Sequence, residues 1–330
     1  MSVVAPCLNE ARHIEHLLDA LYAQEFRDFE IILVDGRSTD ETRDIIRRYA
    51  GRHIDLSIKL LDNPRRAIPS ALNLGILNAR GAIIARLDAH SRPAPDYLDR
   101  CIDALAKSGA DVVGGKWKIR PGASSRVAQA IAIAVGSPLG AGNALYRLES
   151  ALTTQDTDTV PFGTFRRLVW SKGGGYDESL LTNEDYEFNW RVRQQGGRVY
   201  FDPTIQCEYF ARPTYRALFQ QYWRYGWWKG RMLRRHPRSL QPRQAAPMVW
   251  VVGNMLLLAL SLFWPPSCLA VGLLWLSYVT ALGAHTVWLL GWQGLLWPLI
   301  VWAYVIIHGT WGCAAFWGLL FNRGLVAVHE

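Results

Sequence analysis

The chain has 330 residues, half of them hydrophobic, with 15 tryptophans and a formal net charge of +8. The excess is local: residues 1–208 hold 26 Lys+Arg against 27 Asp+Glu, while residues 209–329 hold ten Lys+Arg and no acid. Basic residues among apolar neighbours, with no groove-reading element beside them, exclude nucleic acid and suit a membrane surface.

Residues 2–6 read as a strand and residues 9–24 as a helix with Ile14, Leu17, Leu18 and Leu21 on one face. The apolar run 30–34 fits a strand buried on both faces. Ser38-Thr39-Asp40-Glu41 offers cap residues for a helix that ends near Tyr49. Strands over 56–61, 82–87 and 111–114 alternate with helices over 67–79 and 96–107. That alternation predicts an α/β domain with a mostly parallel sheet flanked by helices. A helix is predicted over 126–135 and a Gly-rich loop over 136–148. Residues 184–195 read as a helix stopped by Gly196-Gly197, and 198–202 as a strand ended by Pro203.

From Thr214 the texture changes. Tyr215, Phe219, Tyr222, Trp223, Tyr225, Trp227 and Trp228 interleave with Arg216, Arg224, Lys229, Arg231, Arg234 and Arg235. Aromatic plus basic residues suit the headgroup layer, so 213–244 reads as an interfacial segment. Residues 245–264, 269–290 and 295–321 contain no Asp, Glu, Lys or Arg, and each can cross about 30 Å of hydrocarbon. The connections are Pro265-Pro266-Ser267 and Gly291-Trp292-Gln293-Gly294. The basic cluster from Lys229 to Arg243 puts that side in the cytoplasm and Glu330 outside, unless the last segment, interrupted by Pro298, re-enters. His285 and His308 read as neutral side chains facing neighbouring helices. The cysteines Cys7, Cys101, Cys207, Cys268 and Cys313 are too scattered for a metal or redox motif. With no basic leader or cleavage pattern at the start, no signal peptide is expected.

Three acidic stations remain: Asp35 after one apolar run, Asp88 with His90 after another, and Glu184-Asp185 later. Carboxylates at the carboxyl ends of neighbouring parallel strands converge on one crevice. They suit an enzyme that holds a base, a metal and a phosphorylated sugar. Each also has a plainer explanation: Asp35 closes a turn, Asp88-Ala89-His90 follows a strand, and Glu184 faces a helix dipole.

The chain resembles the family-two glycosyltransferases, enzymes of GT-A fold that use nucleotide sugars. The resemblance runs from about Val3 to about Arg235. It rests on Pro6-Cys7-Leu8-Asn9-Glu10, Val34-Asp35-Gly36-Arg37-Ser38-Thr39-Asp40, Asn73-Leu74-Gly75-Ile76, Asp88-Ala89-His90, Gly174-Gly175-Tyr176-Asp177-Glu178 and Asn183-Glu184-Asp185, in that order. It implies nucleotide-sugar binding by Pro6, Asn9, Glu10, Asp35, Asn73 and Asp88, with Asp35 on uracil. It implies a divalent metal, Mn²⁺ or Mg²⁺, on Asp88 and His90, and Asp185 as general base. His90 replaces a carboxylate, which lowers affinity for Mg²⁺ most. Tyr209 stands about where many relatives carry a further His. Gly163, Glu184, Arg212, Gln221 and Arg224 are assigned to acceptor or diphosphate; Gln221 to Tyr225 echo the QxxRW motif of processive synthases with Tyr in place of Trp.

Within the family the chain looks most like the succinoglycan-biosynthesis glucosyltransferase group. That implies an inverting transfer from a UDP-sugar, glucose by resemblance, to a polyprenyl-diphosphate-linked saccharide, forming a β-1,3 linkage in exopolysaccharide assembly beside other assembly enzymes. It also implies a bacterial-type plasma membrane with a cytoplasmic catalytic domain, residues 1–212, and a membrane region, 245–330. The alternatives are a polyprenyl-phosphate glycosyltransferase and a non-catalytic nucleotide-sugar-binding subunit. A dinucleotide oxidoreductase is disfavoured because no Gly-x-Gly-x-x-Gly follows the first strand.

Overall fold

β1 (Ser2–Cys7) and β2 (Glu30–Asp35) are buried along their whole length and pair in parallel from Ser2↔Glu30 to Cys7↔Asp35. This is why their sequences are continuous apolar runs rather than alternating ones. β3 (Ser57–Asp62) pairs in parallel outside β2, and β4 (Ile83–Arg86) in parallel outside β1. Pro6 is tolerated in a central strand because β4 pairs with β1 only from Ser2 to Val4, so no ladder bond is lost there.

The fold is a computed structural model describing residues 1–142, 144–290 and 296–321. The remaining strands are β5 (Arg92–Pro93), β6 (Val112–Arg120), β7 (Gln155–Asp156), β8 (Thr164–Arg166) and β9 (Val199–Phe210). They extend the sheet to the order β3-β2-β1-β4-β8-β6-β9-β5, with β7 on β9. The four strands β3, β2, β1 and β4 are parallel; β8 then pairs antiparallel to both β4 and β6. The sheet is therefore mixed. Strand–helix alternation specifies only the parallel half, because β8 spans three residues and carries no periodicity.

Helices α1 (Ile14–Tyr22), α2 (Thr42–Arg52), α3 (Ile68–Leu77) and α4 (Tyr97–Ser108) cover the parallel half. α1 buries Ile14, Leu17, Leu18 and Leu21, each contributing roughly 1.5–3 kcal/mol relative to exposure. It begins at Ile14, not at residue 9, for a reason given with the site below. Pro203 lies inside β9 instead of ending it. On the edge that β7 and β5 share, it falls between Tyr200–Phe201, which pair with β7, and Cys207–Glu208, which pair with β5, so neither of these two strands needs its missing N–H.

By contacts the chain divides into two units, Met1–Lys118 with Ala144–Tyr209, and Ile119–Asn143 with Phe210–Glu330. The first holds the sheet together with α7 (Arg167–Lys172) and α8 (Glu184–Gln194). The second holds α5 (Arg126–Gly136), α6 (Pro138–Ala141), α9 (Tyr215–Arg235), α10 (Pro242–Leu260), α11 (Ser267–Leu290) and α12 (Trp297–Leu320). The Gly-rich stretch 136–148 thus contains α6 and a short 3-10 turn, Leu145–Arg147, where a loop was expected. Ser137 caps α6 by accepting from the Gly140 N–H.

α10, α11 and α12 are long and apolar enough to cross a membrane and mark the chain as membrane-associated. The connection 291–294 and the terminus ending at Glu330 lie outside the described residues. α9 packs on α12 through glycines: a Cβ at Gly226, Gly230 or Gly318 would meet backbone of the other helix. His308 of α12 faces α11, with Nδ1 2.7 Å from Tyr278 Oη and Nε2 2.9 Å from Leu139 O.

Two glycines test the packing. A Cβ at Gly75 would collide with Val4 Cγ1 and approach Val34 Cγ2 at 3.1 Å, whereas one at Gly51 meets nothing. Gly75→Ala is expected to cost about 1–3 kcal/mol, and Gly51→Ala to be neutral or stabilising by up to about 1 kcal/mol. Thermal melting in detergent reads both.

Candidate active site

Asn9, Glu10 and Ala11 do not start α1 because the loop after β2 claims their backbone. Their N–H groups donate to Ser38 Oγ (2.9 Å), Thr42 Oγ1 (2.8 Å) and Asp40 Oδ2 (3.1 Å). In return Asn9 Oδ1 accepts from the Thr39 N–H at 2.9 Å. The latch holds Asn9 at φ 56° and Arg37 at φ 59°. Non-glycine residues in that region are strained, and such strain gathers at functional sites.

Asp35 lies at the carboxyl end of β2 with no exposed surface. Its Oδ1 accepts from Ser38 Oγ at 2.5 Å, and its Oδ2 from the Ser38 N–H at 3.0 Å and Arg43 Nη1 at 3.1 Å. Arg43 also donates to Asp62 at 2.8 Å, joining the ends of β2 and β3. The carboxylate therefore closes the strand-to-helix turn in this structure. Glu10 Oε1 stands 3.3 Å from His90 Nδ1, linking the end of β1 to the loop after β4.

Arg86, the last residue of β4, draws the other two stations together. Its side chain is 5% exposed, and Nη2 donates to Glu184 Oε1 at 2.7 Å and Asp88 Oδ1 at 3.3 Å. Nη1 lies 3.9 Å from Asp185 Oδ2. Burial opposes the guanidinium charge, but Glu184, Asp88 and Asp185 outweigh it and hold Arg86 firmly protonated. Asp185 is 32% exposed, and its Oδ1 accepts from the Tyr186 N–H at 2.7 Å. Asn183, at φ 67°, turns the chain into α8 and presents this pair.

Other sequence-singled residues sit differently. Asn73 uses all four hydrogen-bonding positions within the protein. Its Nδ2 donates to Tyr176 O and Glu178 Oε1, and its Oδ1 accepts from Trp170 Nε1 and the Tyr176 N–H. It clips α3 to the Gly174-Gly175-Tyr176 turn. Pro6 is buried in β1. Gly163 is packed so that a Cβ would sit 2.9 Å from Val112 Cγ1. Arg212, Gln221 and Arg224 belong to the second unit, where Gln221 Nε2 donates to Tyr225 Oη at 3.0 Å and Arg224 is exposed. Tyr209 stacks on Trp117 with centroids 4.2 Å apart and planes 3° apart.

Sequence reading gave no role to Arg86 or Arg43. For Arg86 the signal was present: a lone cation inside Ile83-Ile84-Ala85-Arg86-Leu87 needs a buried anion.

Among the described residues no three His, Cys, Asp or Glu side chains form a ready metal cage. Asp88 is 24% exposed and Arg86 holds its Oδ1, while His90 sits on the same turn, closed by the Ser91 N–H on Asp88 O. A carboxylate and an imidazole, without a cage, fit a cation that takes its remaining ligands from water and substrate phosphates.

Burial pushes Glu184 up to about 7 from 4.5, against the pull of Arg86 and with Asp185 and Asp88 adding to the rise. A carboxyl that holds its proton more tightly when folded contributes stability below its unfolded pKa and loses it as pH rises through its folded pKa. Wild type should therefore lose ground to Glu184→Gln between about pH 4.5 and pH 7, by at most about 3 kcal/mol. Melting of both proteins across that range checks the sign; a difference independent of pH would refute it.

Residues 2–169 match the glycosyl transferase family 2 model. Succinoglycan biosynthesis protein ExoA of Rhizobium meliloti is 30% identical across 97% of this chain and 94% of its own. A dolichyl N-acetyl-alpha-D-glucosaminyl phosphate 3-beta-D-2,3-diacetamido-2,3-dideoxy-beta-D-glucuronosyltransferase of Methanococcus voltae is 28% identical across 71% of this chain and 74% of its own. In fold the chain is similar to a Pyrobaculum calidifontis mannosyltransferase solved with GDP-Man and Mn²⁺, with TM-score 0.64 and 21% identity over 98% of this chain and 87% of that one. The mixed sheet is GT-A-like, as the resemblance implied. With the family matched over half its length and a relative aligned almost end to end, the chain belongs to glycosyl transferase family 2 and is a glycosyltransferase.

Proposed function

We propose that this glycosyltransferase is inverting and moves a hexose, glucose in the first instance, from a UDP-sugar to a hydroxyl of a polyprenyl-diphosphate-linked saccharide. The observation that carries the reading is Asp185, a partly exposed carboxylate linked through Arg86 to Asp88. Asp185 Oδ2 takes the proton of the acceptor hydroxyl while that oxygen bonds to the anomeric carbon. The bond from that carbon to the UDP oxygen breaks, and its electron pair leaves with UDP. One displacement inverts the centre, so an α-linked donor gives a β-linked product.

Asp35, Asn9, Glu10 and Pro6 line the nucleotide end in this reading, with Asn73 fixing the Gly174-Gly175-Tyr176 turn beside it. Uracil at Asp35 replaces the Ser38 hydroxyl on the carboxylate with its imide N–H. Asp88 and His90 would hold a divalent cation, which supplies charge neutralisation for the departing diphosphate. Glu184 and Gly163 lie at the acceptor end, and Arg212, Gln221 and Arg224 keep the acceptor or diphosphate role that the family resemblance implies.

Exopolysaccharide assembly is supported by the Rhizobium meliloti relative, a succinoglycan biosynthesis protein. A lipid-linked sugar acceptor is supported by the name of the Methanococcus voltae relative, which acts on a dolichyl-linked sugar phosphate, and by the three span-length helices. We assign a β-1,3 linkage, a catalytic domain over 1–212 on the cytoplasmic side of a bacterial-type plasma membrane, an interfacial segment over 213–244 and spans within 245–330.

A panel of UDP-sugars assayed with Mn²⁺ in detergent tests the reading. UDP-glucose should turn over in wild type, and Asp185→Asn should lower kcat by at least about 100-fold while UDP still binds. Equal turnover of the two proteins would remove Asp185 as base and favour a binding subunit. Chelation by EDTA should stop transfer, with Mn²⁺ restoring it more fully than Mg²⁺ because imidazole is the softer ligand; undiminished transfer in EDTA would remove the cation site.

A further inference from the structure

We propose that Arg86 is a positioning residue that fixes the distance between the donor-end carboxylate Asp88 and the acceptor-end pair Glu184-Asp185. The inference rests on the reading of Asp185 as base. It goes beyond that reading by assigning the geometry of the reaction to a cation that touches neither substrate.

The backbone of Arg86 is held on both sides. It is in register with Val4 of β1, and its N–H donates to Gly163 O at 3.3 Å. The guanidinium starts from a fixed point in the sheet and reaches two segments far apart in sequence. One nitrogen, Nη2, serves both Glu184 and Asp88. Nη1 of the same plane faces Asp185, so the fork sets three carboxylates in fixed directions, whereas the rotating ammonium of a lysine presents one charged nitrogen and no second arm.

Two of its nitrogens, Nε and Nη1, are buried and make no hydrogen bond of good geometry, with the Tyr176 hydroxyl bordering the guanidinium. Nη1 instead stands 3.9 Å from Asp185 Oδ2, near enough to attract it and too far to bond it. A charged bond at ordinary length would lower the basicity of the oxygen that receives the acceptor's proton. Glu184, bonded at 2.7 Å, takes the strong contact and anchors the start of α8, leaving its neighbour Asp185 held but open.

The test is Arg86→Lys in the full chain in detergent, beside wild type and Asp185→Asn. Lysine keeps the charge and loses the fork. The proposal expects a melting temperature close to wild type, UDP affinity within about threefold, an unchanged acceptor KM, and a kcat lower by about 100-fold or more, the scale of a misplacement near 1 Å. A kcat within about twofold of wild type overturns it, because charge alone would then suffice. If Arg86→Lys does not melt cooperatively, Arg86→Gln is measured the same way. A folded Arg86→Gln with wild-type kcat also overturns the proposal, as does failure of both variants to fold, which would make Arg86 a folding residue. Failure of the base reading shows separately, as wild-type turnover in Asp185→Asn.

Discussion

One buried guanidinium holds three carboxylates in a space that would otherwise repel them. Asp88, Glu184 and Asp185 carry more negative charge than Arg86 balances, and the sheet closes over the cation until it is 5% exposed. A buried pair of this kind is weak evidence for added stability, because desolvation offsets much of the attraction. Breaking it is another matter: removing one partner of a buried pair costs about 3–5 kcal/mol. The excess of anions is best understood as function imposed on folding. Burial, with Asp185 and Asp88 adding to it, leaves Glu184 reluctant to ionise, and the excess of anions leaves the site able to accept a cation.

The rest of the first unit converges on that point through strained connections. Asn9, Arg37, Arg66, Phe162 and Asn183 all have positive φ without being glycine. Asn9 and Arg37 sit in the mutual latch that follows β1 and β2, Phe162 precedes the carbonyl that holds the Arg86 backbone, and Asn183 precedes Glu184-Asp185. Each costs on the order of 1–3 kcal/mol and persists only where its surroundings overdetermine it. Here the surroundings are hydrogen bonds among neighbouring strand ends, so strain and site geometry share one cause.

The parallel half of the sheet was legible because burial on both faces writes itself as unbroken apolar runs. The stations were legible because acids follow those runs. Three features were not. The start of α1 depends on side chains of Ser38, Asp40 and Thr42, about 30 residues away and invisible to a periodicity argument. The antiparallel half rests on β8, three residues whose pairing partners are set by tertiary position. Asn73 looked like a ligand contact, yet its amide is filled by the Gly174-Gly175-Tyr176 turn and by Trp170 and Glu178, a count that only coordinates can make.

The second unit follows a different logic. α9 is an amphipathic helix that buries Leu218, Tyr222, Trp227, Met232 and Leu233 together with two glycines. Its contact with α12 is made by absent side chains: Gly226 and Gly230 on one helix and Gly318 on the other let the backbones touch. Lipid offers no hydrophobic drive for helix association, so close packing and polar bonds must supply it. The same unit supplies them, with Tyr304 Oη 2.6 Å from Ser137 Oγ and His308 bonded toward both Tyr278 and Leu139. Ser137 and Leu139 come from a segment that interrupts the catalytic sequence between β6 and β7. The membrane-associated unit is thus built from two separate stretches of chain, and α12 packs against helices from both, α5 and α6 from one and α9, α10 and α11 from the other.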